Sequence, residues 1–157
     1  MSAYSDALRM LARRELSVAQ VRARLAEREY PAEQIDAAIA HLLETGALDD
    51  ARVAKAYART ASGVKGRGRL RVQRELVEMG IGRDVAAQAI AEVFGDLDER
   101  ALIDKAIKKK LRMAAAPSRK LTLQERGRLY QFLMRQGFTP AAVSAALRRV
   151  GGTAADD

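Results

Sequence analysis

One spacing recurs three times in this chain of 157 residues and limits what it can become. An apolar residue is followed four positions later by Leu, five further on by an apolar or aromatic residue, then by apolar residues after five and four more. The copies are Val21, Leu25, Tyr30, Ile35, Ile39; then Val72, Leu76, Ile81, Ala86, Ile90; then Leu129, Leu133, Phe138, Val143, Leu147. None needs a gap. Steps of four bring side chains to one helix face, and the steps of five bridge a turn between two helices. A period of roughly 50 residues points to one supersecondary unit used repeatedly.

Each copy reads as the last two of three helices. In the first, a helix over Ser5 to Glu15 precedes one that Ser17 caps with Gln20 in a capping box. Pro31 suits the first position of the next helix, which Gly46 ends. In the second, Asp49-Asp50 caps a helix carrying Val53, Ala54 and Tyr57. Ser62 to Gly68 reads as a glycine loop, and helices follow up to Gly80 and from Arg83 to Phe94. In the third, Asp96 or Asp98 opens a long helix that Ala116-Pro117-Ser118 ends. Thr122 with Glu125 forms another capping box, Gly137 closes that helix, and Thr139-Pro140 starts the last. No stretch alternates as a strand would. The expected fold is all-α, three tandem three-helix modules over 5–46, 49–95 and 98–150, forming an elongated, curved array with a disordered tail at 151–157. Burying four or five large aliphatic side chains stabilises a module by about 1.5–3 kcal/mol each before entropy opposes it. Each module is therefore marginal alone and helped by its neighbours.

The composition excludes several chemistries. With no cysteine there is no disulfide, thiolate zinc site or cysteine nucleophile. The single histidine, His41, has no ligand-type cluster near it in sequence, and the carboxylates read as helix caps or partners of nearby Arg. Neither a signal-like apolar stretch nor a run near the roughly 18 residues of a membrane span is present, so a cytoplasmic location without membrane contact is expected. No catalytic, metal or cofactor site is expected.

A net charge of +8 favours a polyanion or an acidic protein surface. Two basic groups stand out. Arg67, Arg71 and Arg74 fall at helical spacing opposite Val72, Leu76 and Met79, while Arg69 falls off that stripe and reads as part of the turn. The other comprises Lys105, Lys108, Lys109 and Arg112, then Arg119 and Lys120, then Arg126, Arg128 and Arg135. Each group is either a solvated face or a binding surface. Gly66-Arg67-Gly68-Arg69 ahead of a helix is also placed to touch a phosphate, although it lacks the full nucleotide-binding pattern. Aromatics, 4% of the chain, are too few for a base-stacking platform.

Ala7-Leu8 with Leu11, then Arg13-Arg14-Glu15 and Ser17, resemble the opening of the RecX regulators of bacterial recombination. Leu48-Asp49-Asp50-Ala51-Arg52-Val53-Ala54 resembles that family's L-D-D-x-R-F-A signature. Gly66-x-Gly68-x-Leu70-Arg71, Glu75-Leu76 and Gly80-Ile81 resemble its next segment. There are departures: Val53 stands for the usual Phe, Arg67 for an aromatic, Leu16 for a polar residue, and Arg28-Glu29-Tyr30 lacks the usual glycine. The resemblance implies tandem three-helix modules that bind the RecA recombinase filament on single-stranded DNA. It further implies suppression of RecA's ATPase and strand exchange, restraining recombination and the SOS response. The expected partners are the RecA filament and, through the basic patches, single- and double-stranded DNA, with the chain a monomer. The alternative is a DNA-binding protein acting independently of RecA.

Overall fold

A computed structural model describes residues 2–95, 97–113 and 120–150. Among them are nine α-helices and no strand: α1 Ala3–Arg13, α2 Val18–Glu27, α3 Ala32–Glu44, α4 Asp50–Gly63, α5 Arg69–Glu78, α6 Arg83–Gly95, α7 Glu99–Met113, α8 Leu123–Gln136 and α9 Pro140–Val150. The all-α expectation and the tandem three-helix organisation are met. The chain forms two compact units, one of Met1–Ala58 with Arg74–Ala91, the other of Arg59–Gln73 with Glu92–Asp157. Their boundaries fall inside α4, α5 and α6. The expected tail at 151–157, the Asp96 cap and the Ala116-Pro117-Ser118 break lie outside the described residues.

The repeated spacing is the core. Fourteen of its fifteen residues are buried; Tyr30 is half-buried. In the first unit α1, α2 and α3 pack around Met10, Leu16, Val21, Leu25, Ile39 and Leu42. In the second, α7, α8 and α9 enclose Ile103, Ile107, Leu129, Leu133, Phe138 and Val143.

The turn spanned by five residues is built the same way each time. The amide of the third repeat residue donates to the carbonyl of the second: Tyr30 to Leu25 (3.3 Å), Ile81 to Leu76 (3.1 Å), Phe138 to Leu133 (3.4 Å). This is the Schellman bond, which needs a left-handed residue just before the donor. That residue is Glu29 at φ 65°, Gly80 at 84° and Gly137 at 100°. Glu29 thus adopts a conformation that disfavours side chains, where the sequence lacks glycine.

Several helix starts differ from expectation. α1 begins two residues early, because Ser2 forms the capping box with Ser5. Pro31 is the N-cap of α3 rather than its first residue. α4 continues through Ser62 and Gly63, shortening the glycine loop. The Ser17 box with Gln20 forms as read. Thr122 accepts from the Glu125 amide at 3.1 Å, and Asp98 from Ala101 at 3.2 Å.

Candidate functional site

The glycine loop and the start of α5 do not make a phosphate cradle. Two amides that a phosphate would use are already satisfied within the second unit: Gly68 donates to the Gln136 carbonyl at 2.7 Å, and Leu70 to that of Gly137 at 3.0 Å. Gly68 is buried, and a Cβ there would lie 2.5 Å from the Gly137 carbonyl carbon. Its glycine serves close packing of α5 on the end of α8.

Nor do Arg67, Arg71 and Arg74 form one helical face. α5 begins at Arg69, so Arg67 lies in the loop, half-buried, with its amide donating to the Ala61 carbonyl at 2.9 Å. The Arg71 guanidinium is half-buried and donates to Gln136 Oε1 at 3.0 Å. Arg69 and Arg74 are exposed. Arg126 is likewise turned inward, its Nη2 donating to the Leu147 carbonyl at 2.8 Å in the last turn of α9, where a cation suits the helix dipole.

The remaining cations of the second unit are exposed: Lys105, Lys108, Lys109 and Arg112 on α7, Lys120, and Arg128 and Arg135 on α8. Arg119 lies outside the described residues. Folding sorts some of them into two hollows. Arg128 and Arg135 meet Lys110 around a shallow depression of about 610 Å³. Lys105 and Lys109 meet Lys65 of the glycine loop and Lys110 around another of about 370 Å³, floored by Leu102, Ala106 and Phe132. Segments some forty positions apart thus share one site, which no spacing within either segment announces.

A third basic hollow escaped the sequence reading. In the first unit Arg9 and Arg13 of α1, with Arg14 just beyond it, face Arg24 and Arg28 at the end of α2 around about 550 Å³, with Glu27 the one carboxylate lining it. Arg28 is held 3.3 Å from buried Asp6. That carboxylate's pKa is lowered, first by the hydrogen bond from the Tyr30 hydroxyl and further by Arg28, against the opposing effect of burial. The pairs 9/13 and 24/28 stand one helical turn apart, the signal that could have revealed each half.

Comparison with known proteins assigns the chain. The family description "RecX, first three-helix domain" matches residues 3–42, and "RecX, second three-helix domain" matches residues 49–90. The chain belongs to the RecX family. It is 33% identical to the regulatory protein RecX of Pelodictyon phaeoclathratiforme, covering 99% of this chain and 92% of that one. It is 34% identical to that of Geobacillus kaustophilus, over 96% of this chain but 54% of the longer relative. The fold resembles the crystal structure of RecX from Lactobacillus salivarius, with a TM-score of 0.80, 18% identity and 94% of each chain covered.

The stretch resembling the RecX signature has structural work here. Leu48 is buried. Asp49 Oδ1 accepts from the Arg52 amide at 3.2 Å and so caps α4. Asp50 instead reaches α2, accepting from the Val18 amide at 2.9 Å. Arg52 pairs with Glu15 at 3.1 Å and donates to the Gly46 and Ala47 carbonyls at 2.8 and 3.1 Å. The Glu15 carboxylate raises the Arg52 pKa. This part of the signature clasps the end of α3 and the starts of α2 and α4.

Proposed function

We propose that this chain binds the RecA recombinase filament on single-stranded DNA and restrains its ATPase and strand exchange, thereby modulating recombination and the SOS response. It acts by contact, without catalysis of its own, through modules of three helices at 5–46, 49–95 and 98–150. The observation that carries the reading is membership of a family whose relatives, matched over nearly the whole chain, are called regulatory proteins. The exposed cations of the second unit supply the surface, with Lys105, Lys109, Arg128 and Arg135 foremost. Among the described residues no helix is long and apolar enough to cross a membrane.

A second reading, direct DNA binding independent of RecA, is favoured by the five arginines around the hollow of the first unit. Guanidinium groups pair with phosphates in a bidentate way and bring a steep loss of affinity with salt. The test is cosedimentation with RecA filaments across a salt series, alongside binding to bare DNA and RecA's DNA-dependent ATP hydrolysis. Retained filament binding at salt that strips the protein from DNA, with ATPase inhibited, is the expected result. Tight DNA binding with no effect on ATPase or strand exchange refutes the RecA reading.

A further inference from the structure

The 370 Å³ hollow of the second unit combines two properties that solvation alone does not call for. Its floor is apolar, from Leu102 and Ala106 one turn apart on α7 and Phe132 on α8. At its lip Val64 is 82% exposed, an isolated β-branched side chain in water. Around this floor stand Lys65, Lys105, Lys109 and Lys110, with no carboxylate among the lining residues. Asp104, next to Lys105 on α7, is turned to Arg149 at 3.1 Å. Four ammonium groups around an apolar floor repel one another and gain from a ligand that is negative outside and apolar at its tip.

We propose that this hollow is the seat of an acidic peptide segment of the partner protein, which inserts one or two apolar side chains over Leu102 and Ala106, beside Phe132, while its carboxylates meet the lysines. The assignment rests on the RecA reading above and names the kind of segment the filament presents. The chemistry disfavours nucleic acid at this place. A base needs an open aromatic face, and Phe132, the hollow's one aromatic residue, carries the Lys110 ammonium 4.8 Å from its ring centre. The volume lies at the small end of ligand clefts and suits a side chain or two rather than a whole cofactor.

The chain has no cysteine, so Val64→Cys creates a single thiol at the lip. Labelled there with a benzophenone maleimide and added to preassembled RecA filaments on single-stranded DNA, the full chain should crosslink to RecA on irradiation. The adduct should map to a peptide holding Asp or Glu beside an apolar residue. In parallel, Lys105→Glu with Lys109→Glu should weaken filament binding at least tenfold, and Ala106→Gln should weaken it severalfold, each with unchanged helicity and melting temperature. An adduct to the oligonucleotide alone, an adduct to a RecA peptide without acids, or binding within twofold of the parent for every variant overturns the proposal while leaving the RecA reading intact. Failure of the unsubstituted chain to cosediment with filaments overturns both.

Discussion

Gly80 carries two separate demands, and they can be measured apart. Its φ of 84° lies in the left-handed region, where a Cβ costs about 1–2 kcal/mol. A Cβ there would also collide with the Cβ of Ala19 in the first turn of α2, and relieving such overpacking costs about 1–3 kcal/mol. Gly80→Ala should therefore destabilise the protein by about 2–5 kcal/mol, the sum of the two. Gly46 supplies the control: its φ is 81°, yet a Cβ there meets nothing within 4 Å. Gly46→Ala should cost only the backbone part, about 1–2 kcal/mol. Ala19→Gly should cost at most about 1 kcal/mol in helix propensity. It should nevertheless stabilise the Gly80→Ala background, because it removes the atom in the way, so the double variant recovers about 1–3 kcal/mol relative to additivity. Urea unfolding followed by circular dichroism, with constant slope across the set, measures all four. Additivity of Ala19→Gly and Gly80→Ala to within about 0.5 kcal/mol, or equal losses at Gly46 and Gly80, would refute the close-approach argument.

Glu29→Gly should raise the melting temperature: it relieves about 1–2 kcal/mol of left-handed strain and gives back about 0.4–1 kcal/mol of unfolded-chain entropy. A lowered melting temperature counts against the strain. The Tyr30 hydroxyl bond to Asp6 lowers the Asp6 pKa and, with Asp6 as its main cause, raises that of Tyr30. The carboxylate's contribution is thus complete above the ordinary carboxylate pKa of about 4 and is lost as pH falls through the depressed one. The stability gap between the parent and Tyr30→Phe, measured by guanidinium titration, should be widest near pH 7 and shrink by pH 3; an unchanged gap contradicts the assignment.

The helical core was legible because burial imposes a periodicity that survives reading one residue at a time. Val21, Val72 and Leu129 are inward because their neighbours at four and nine positions are inward too. The glycine turns were legible for the same local reason, since a left-handed residue must end each second helix. The basic surface was not. Arg71 and Arg126 looked like Lys105 and Arg128 in sequence, but a guanidinium can spend its donors on an amide oxygen or carbonyl as readily as on solvent. Only the packing of α5 and α9 against α8 decides it. Arg67 was misplaced because Gly68 looks like the opening of a helix that Arg67 could enter; the amide bond to Ala61 holds it in the turn instead. The arginine hollow stayed hidden because its halves lie on α1 and α2, and neither half alone exceeds an ordinary solvated face.

The repeat also sets how helices meet. Ser17 and Gly68 hold equivalent places four residues before Val21 and Val72, and Met79 and Gln136 equivalent places two before Ile81 and Phe138. In the first unit Ser17 Oγ donates to the Met79 carbonyl at 2.6 Å. In the second the Gly68 amide donates to the Gln136 carbonyl at 2.7 Å. The same pair of positions is thus joined twice, once by a side chain and once by the backbone, each time bringing a helix start with its free amides against a helix end with its free carbonyls. That recurrence accounts for the glycines better than φ alone. Gly80 and Gly137 abut a docked helix start, and a Cβ on either would strike Ala19 or Arg71. Glu29, equivalent to both and exposed, has the same left-handed backbone yet carries a side chain. Backbone strain by itself is tolerated at this position of the repeat; the combination of strain with a neighbouring helix start is what demands glycine.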